Sequence, residues 1–333
     1  MKRKNTSAQL LDKNLKNIFP HFKNFLDKNL KEKKFVIGVS GGPDSMALAY
    51  LSKVYSIDHN KTFECIIIDH GVRKNSDKEA KKVKSSLLKH KIKSNIFKIK
   101  FENSSNFHSE ARVKRYDKII EFCRRKKIKK ILLGHHLDDQ VENFYIRLSR
   151  GSGLTGLSPI KKVSKYKSVY FLRPFLNIKK NELVTIAKKN FSFFVNDPSN
   201  FRDKYLRSRV RKLRNFMEKE GLGDQRLLKT LTNLDKASEA LEFYSNQAVK
   251  KYITKKGNIS SISKKLFKEP NEVIFRSISS FLTKNKNYPP RAKGIDRLIT
   301  DLSKNNTNKV TLGGYVFENG LNLVKVKKEN RKR

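Results

Sequence analysis

Cysteine is nearly absent: Cys65 and Cys123 stand far apart, with no Cys-x-x-Cys pair. That spacing supports neither a zinc site nor a disulfide framework, and it fits a reducing cytoplasm. Both thiols read as inert, Cys65 within an apolar strand. Long apolar runs are missing too. No stretch of about 18 apolar residues occurs, so nothing is expected to span a membrane. The basic start, Met1-Lys2-Arg3-Lys4, has no apolar segment behind it and does not read as a secretory signal. There is no tryptophan and no visible internal repeat. Acidic residues are scarce: 31 Asp+Glu face 76 Lys+Arg, a net charge of +45. Such a chain repels itself, and a polyanionic partner would relieve the repulsion. A general bias toward Lys, Asn and Ile inflates the figure, but part of the excess is expected to face nucleic acid.

The 333 residues predict two or three domains, and 37% hydrophobic content suffices for a core at this length. Leu11, Leu15, Ile18, Phe19, Phe22, Phe25 and Leu26 recur at helical spacing and predict an amphipathic lead-in helix. Strands are expected at 35–38, 63–68, 96–101 and 128–133. Helices are expected from Met46, over 77–91, over 109–127 and over 137–150. Strands alternating with helices predict a doubly wound, mainly parallel α/β sheet, with ligands at the carboxyl ends of its strands.

Three segments fall at such strand ends. The first is Ser40-Gly41-Gly42-Pro43-Asp44-Ser45. Strand, glycine turn and helix are the local context in which backbone N–H groups and a helix N-terminus cradle phosphate. Ser40 and Ser45 add hydroxyls, Pro43 suits the first helical turn, and Asp44 is placed to hold a metal ion or to cap the helix. No lysine lies inside the loop, so it is not a Walker A motif. The second segment, Asp69-His70-Gly71-Val72-Arg73, puts a histidine where it could meet adenine or phosphate, or lie on a surface loop. The third is Gly134-His135-His136-Leu137-Asp138-Asp139-Gln140-Val141-Glu142. Asp139 and Glu142 share a helix face three residues apart. They could complement the helix dipole, bind Mg²⁺, grip an ammonium group or act as a base. Arg112 and Arg115 also share a face and could hold phosphate or a carboxylate, although arginine pairs are common in so basic a chain.

The Ser-Gly-Gly-x-Asp-Ser pattern resembles the pyrophosphate loop of the ATP-pyrophosphatase superfamily, which cleaves ATP between its α- and β-phosphates. The ordered set is more specific. The three strand-end segments, Glu110-Ala111-Arg112 with Arg115-Tyr116, and Arg150-Gly151-Ser152-Gly153-Leu154-Thr155-Gly156-Leu157 are similar to the tRNA(Ile)-lysidine synthetase family. So are Arg173-Pro174-Phe175-Leu176, Asp197-Pro198-Ser199-Asn200, Arg207 and Arg211. The resemblance covers about residues 35–215. It departs from the family pattern at Ile67, where many relatives carry histidine, and at Ser208, where many carry asparagine.

This resemblance implies an ATP- and Mg²⁺-dependent ligase. Such an enzyme adenylates the wobble cytidine of an isoleucine tRNA with anticodon CAU at C2, and the ε-amine of L-lysine then displaces AMP. The tRNA thereafter reads AUA. Ser40, Gly41, Gly42, Pro43, Asp44 and Ser45 would hold the phosphates, with Asp44 near Mg²⁺ and His70 and His135 near the nucleotide. Asp139 and Glu142 would serve the lysine ammonium and its proton. Arg115 would act on the reacting phosphate or carboxylate, and Arg112, Arg207 and Arg211 would bind substrate. A homodimer is compatible with the family. The Arg150–Leu157 loop reads as a hinge or lid over a water-sensitive adenylate, or as a plain connector.

Behind this region, residues 202–214 are dense in arginine and lysine and predict a basic helix suited to an RNA backbone, or merely solvated. A long helix over 223–254, helices over 269–284 and 291–303, and a β-hairpin over 309–326 turning at Asn319-Gly320 complete the chain. The expected organisation is a catalytic domain over 1–222 and a small α+β tRNA-binding module over 223–333. A cytidine or uridine thiolase is the alternative within the superfamily, but such enzymes commonly use paired cysteines. A non-catalytic RNA-binding relative is the alternative outside it, against which the intact loop and acidic segment argue.

Overall fold

In the computed structural model, residues 15–69, 71, 75–99, 107–195, 206–283, 290–304 and 308–329 are described. The side chains at 16, 107–112, 207 and 215 are not. His70, Arg73 and the Asp197–Asn200 segment therefore lie outside the description, as do the side chains of Arg112 and Arg207. The chain divides into two compact units, residues 1–228 and 229–333.

The first unit opens with α1 (Leu15–Asn29), β1 (Lys34–Val39), α2 (Pro43–Asp58), β2 (Thr62–Asp69), α3 (Ser76–Lys89) and β3 (Ser94–Lys98). It continues through α4 (Phe107–Arg125), β4 (Lys130–Leu133), α5 (Leu137–Leu148), the single turn α6 (Leu154–Leu157), β5 (Val163–Tyr166) and β6 (Val169–Leu172). Then come α7 (Lys180–Asn190), α8 (Leu206–Lys219) and α9 (Asp224–Tyr252), and the division between the units falls inside α9.

The sheet runs in the order β3-β2-β1-β4-β6-β5, parallel throughout except for the antiparallel edge strand β5. The chain builds outward from β1 to β2 and β3, then crosses back to place β4 on the other side of β1. That reversal opens a crevice between the carboxyl ends of β1 and β4, the place where open α/β sheets bind ligands.

Both faces of β1 are buried, as a central parallel strand requires. Phe35, Ile37 and Val39 enter one core with Phe22 and Leu26 of α1 and Met46, Leu48 and Leu51 of α2. Val36 enters the other with Ile66, Ile119, Ile131 and Phe171. Phe22 is fully buried, its ring 5.6 Å from that of Phe175 and 6.3 Å from that of Tyr55. The cysteines sit in these cores on opposite faces of the sheet, Cys65 in the first and Cys123 in the second. Burial pushes both thiols up, that of Cys123 to about 12. Ile67, one departure from the family pattern, is a core residue of β2 at 2% exposure.

The second unit adds β7 (Ile253–Lys256), β8 (Ile259–Ser263), a 3₁₀ turn at Lys264–Lys268, α10 (Asn271–Thr283), α11 (Ala292–Ser303), β9 (Lys309–Leu312), β10 (Tyr315–Asn319) and β11 (Leu323–Lys328). Its strands form an antiparallel sheet in the order β7-β8-β11-β10-β9. Strand β11 alternates, with Val324 and Val326 buried against α10 and α11 and Lys325 and Lys327 outward.

Here the sequence reading needs correction. A lone hairpin is expected, but the sheet has five strands. Strands β7 and β8 are short, and their lysines and serines hide the alternation. The tight turn is also elsewhere. Leu312 pairs with Tyr315 across Gly313 (φ 62°) and Gly314 (φ 73°), the two positive angles a type I′ turn demands. Asn319 pairs with Val324 instead, across a wider loop closed by Gly320 N–H donating to Leu323 O at 3.1 Å. No described helix is long and apolar enough to cross a membrane.

Candidate active site

The loop after β1 braces itself. Ser45 Oγ donates to Gly42 O at 2.9 Å and accepts from Ser40 N–H at 3.2 Å, while Ser40 Oγ lies 3.3 Å from Ser45 Oγ. Gly41 takes φ 87°, a conformation that a side chain resists, and a Cβ there would lie 2.8 Å from Val83 Cγ2. Its carbonyl accepts from Val195 N–H at 2.8 Å. Gly42 is the N-cap of α2 and Pro43 its first residue, so Asp44 stands in the first turn, where the helix dipole favours an anion. Asp44 does not cap the helix. Its Oδ1 is buried and has no hydrogen-bond partner among the described residues, which is costly unless a cation or donor arrives.

The segment after β4 meets this loop directly. A Cβ on Gly134 would lie 3.2 Å from the Asp44 carbonyl carbon and oxygen and from Ser45 N. Only glycine lets the two strand ends approach so closely. Gly134→Ala is therefore expected to displace the loop by a few tenths of an ångström. It should weaken binding of an ATP analogue by roughly tenfold, a fraction of the hundredfold cost of a full ångström of misplacement. Calorimetric titration checks this; unchanged affinity would mean that the loop tolerates the shift.

Helix α5 begins with a capping box. His136 N–H donates to Asp139 Oδ2 at 3.1 Å, and Asp139 N–H approaches His136 Nδ1 at 3.4 Å. His136 is 4% exposed and sits among carboxylates. Its Nε2 is 3.5 Å from both Asp44 Oδ2 and Asp139 Oδ2, and its Nδ1 is 3.6 Å from Asp138 Oδ2. Burial alone would lower its pKa, but Asp138, Asp44 and Asp139 overcome that and raise it to about 10. A doubly protonated ring donates at both nitrogens. The long contact from Asp139 N–H to Nδ1 then yields to the ion pair with Asp138.

Asp138 is in turn held from the far side. It accepts from Lys180 N–H at 2.8 Å and pairs with Arg214 of α8, which reaches Asp224 Oδ1 at 2.6 Å. Burial would raise the Asp138 pKa; His136, Arg214 and the Lys180 amide hold it well below the usual carboxylate range. Glu142, one turn along α5, is 3% exposed and accepts from Arg211 Nε at 2.6 Å. The inner face of α8 is thus Val210, Arg211 and Arg214, while Arg209, Lys212 and Phe216 face outward.

The sequence-predicted residues Ser40–Ser45, His135, Asp139 and Glu142 fall on the β1 and β4 strand ends and α5. Arg115 stands on α4, its guanidinium 5.7 Å from the Tyr116 ring. The second half of the Arg150–Leu157 loop folds as α6, tied to α5 by Arg147 Nη1 donating to Gly156 O at 2.6 Å. Sequence reasoning missed Asp138, Arg214 and Asp224, and it left His136 without a role. His136 carried a signal, the His-x-x-Asp spacing of a capping box. For Arg214 the only signal was its helical spacing from apolar Val210, and its partner Asp138 lies 76 residues away.

Residues 13–217 match the PP-loop domain family. The chain is 31% identical over 312 residues to the tRNA(Ile)-lysidine synthase of Orientia tsutsugamushi, covering 89% of this chain and 70% of that protein. It is 28% identical over 305 residues to that of Wolbachia pipientis, with the same coverage. The synthase of Rickettsia typhi is 36% identical over 191 residues, 44% of its own length. Among solved structures, a U34-tRNA thiolase from Methanococcus maripaludis superposes with a TM-score of 0.57 at 20% identity, covering 68% of this chain and 80% of that one, a likeness of fold. With its loop, its switch point and its acidic α5 in place, the chain belongs to the tRNA(Ile)-lysidine synthase family of PP-loop ligases.

Proposed function

We propose that the chain joins L-lysine to C2 of the wobble cytidine in an isoleucine tRNA with anticodon CAU, at the expense of ATP and in the presence of Mg²⁺. The observation that carries this reading is the convergence of two strand ends, where the β1 loop, with Asp44 Oδ1 unpartnered among the described residues, touches the segment that starts acidic α5.

In the first step the cytidine O2 attacks the α-phosphorus of ATP. The bond from that phosphorus to the bridging oxygen breaks, and pyrophosphate leaves. Backbone N–H groups at the start of α2, those of Asp44 and Ser45, and the α2 dipole stabilise the departing charge. Asp44 Oδ1 is the donor offered to Mg²⁺, which when bound neutralises phosphate charge. In the second step the lysine ε-amine attacks C2, the C2–O2 bond breaks, and AMP leaves carrying the oxygen. The amine proton needs a base. Asp139, its side chain 26% exposed, is reachable, whereas Glu142 is enclosed with Arg211. We therefore assign proton transfer and ammonium binding to Asp139, and orientation of α5 against α8 to Glu142. His135, next to the Gly134 contact, is assigned to the nucleotide. The outward basic face of α8 and the second unit are assigned to the tRNA backbone.

A thiolase reading draws no support from the cysteines. Cys65 and Cys123 are buried in different cores and share no site. The deciding experiment incubates the chain with ATP, Mg²⁺, labelled lysine and tRNA. Label is expected on the isoleucine tRNA bearing CAU. AMP formation without transfer of lysine would replace lysine by another nucleophile, and absence of both would end the ligase reading.

A further inference from the structure

The foot of the first unit's sheet, where β1 and β2 begin, holds a cavity of about 670 Å³. It is not the crevice of the candidate active site. The Ser40–Ser45 loop follows the other end of β1, a six-residue strand. At about 3.3 Å per residue, roughly 20 Å separate the two.

The cavity is lined by Lys34, Lys53, Lys61, Lys91, Lys93 and Lys126, and among the described residues its single lining acid is Glu64. Glu64 is already engaged, accepting from Asn95 Nδ2 at 2.9 Å and lying 3.7 Å from Lys126 Nζ. Two ammonium groups are fixed by main-chain carbonyls. Lys53 Nζ donates to His90 O at 2.6 Å, and Lys61 Nζ to Leu30 O at 2.9 Å and Glu32 O at 3.0 Å. Burial, and then the charge of Lys91, lower the Lys53 pKa, as expected where cations outnumber acids. The floor is apolar, with Ile57 (41% exposed), Ile128 and Phe63, whose ring stacks on Phe35 at 5.2 Å.

Helix dipoles explain part of this charge. Helices α2, α3 and α4 end at this edge, and helix C-termini favour cations. They do not explain Lys34, the first residue of β1, or Lys93, immediately before β3. Lys91 also takes a left-handed φ of 58°, where a helix-terminating residue is usually glycine, and so keeps an ammonium on the rim.

We propose that this cavity is a second anion site that takes a nucleoside phosphate. The base packs on Ile57, Phe63 and Ile128, and the phosphate sits among Lys34, Lys53, Lys91 and Lys93. A cationic rim over an apolar, partly aromatic floor is the combination that binds nucleotides without reading sequence. Either a free mononucleotide or one nucleotide of an RNA strand supplies that chemistry.

The test uses the full chain, with the PP-loop crevice filled by a non-hydrolysable ATP analogue, and titrates AMP and a uridylate pentamer as separate probes. Lys34→Glu combined with Lys93→Glu, both at exposed positions, is expected to weaken one probe by roughly tenfold. Binding of the ATP analogue should not change. Loss of AMP affinity supports a free nucleotide, and loss confined to the pentamer supports an RNA strand. Lys34→Ala with Lys93→Ala should weaken the same probe by less, and so should Ile57→Ser. Unchanged affinity for both probes overturns the proposal and leaves the lysines as partners of helix dipoles. A probe that responds to the lysine variants but ignores Ile57→Ser overturns the nucleoside assignment.

Discussion

Asp44→Asn is expected to reduce ATP turnover by about 10²- to 10³-fold while leaving tRNA retention within a factor of two or so of the parent. Asparagine keeps the shape of the side chain and replaces one anionic oxygen with an amide donor. Two things are lost together. The buried Oδ1, which no group among the described residues satisfies, can no longer offer negative charge to a cation. His136 Nε2, 3.5 Å from Oδ2, loses one of its carboxylate neighbours. The fold should survive, because the loop is held by Ser40, Ser45 and the contact with Gly134, not by the Asp44 side chain. Release of pyrophosphate and filter retention of labelled tRNA are measured on the same preparation. Parallel loss of both would mean that the residue supports the loop and takes no part in the chemistry.

What could be read in the sequence was local. The apolar run before Ser40 and the glycines and proline after it announce strand, turn and helix within one short window. The strand-end location of Gly134–Glu142 follows from the same alternation. Non-local pairing could not be read. Arg211 and Arg214 look alike in a string of basic residues, yet Arg211 closes on Glu142 and Arg214 bridges Asp138 and Asp224. Helical spacing hinted at this, since Val210 and Arg214 lie four residues apart on the face that packs against α5. In the second unit, the Asn-Gly pair gave the right region and the wrong turn. Gly313-Gly314, one strand earlier, already occupies the position where both angles must be positive. Strands β7 and β8 were invisible because four residues of Ile-Thr-Lys-Lys and five of Ile-Ser-Ser-Ile-Ser bury too few side chains to show a period.

The acidic start of α5 gains a different meaning from these pairings. Three carboxylates around one imidazolium would repel one another if left alone. Arg214 drains that repulsion by taking Asp138, and Asp224 with Lys179, 3.3 Å away, completes the chain. Charges therefore alternate from the phosphate loop to the start of α9: Asp44, His136, Asp138, Arg214, Asp224, Lys179.

Arg214→Ala breaks that alternation at its arginine, whose side chain is 13% exposed. It is expected to destabilise the first unit by about 3 kcal/mol, because buried Asp224 and half-buried Asp138 lose their common partner. For a unit of this size that corresponds to a fall of roughly 10 °C in Tm. Removing one of the stranded charges should recover part of the loss. Arg214→Ala with Asp224→Asn is predicted to melt above Arg214→Ala alone, which a simple loss of packing would not produce. The effect should also reach the chemistry. Without Arg214, Asp138 pulls harder on His136, and the ring shifts away from Asp44. Turnover of the surviving folded enzyme should then fall while the KM for ATP changes little, since the loop's own hydrogen bonds are untouched. A variant that melts with the parent would show that solvent already screens the Asp138–Arg214–Asp224 chain. A variant that melts early but turns over normally would show that the chain holds α8 in place and does not position His136.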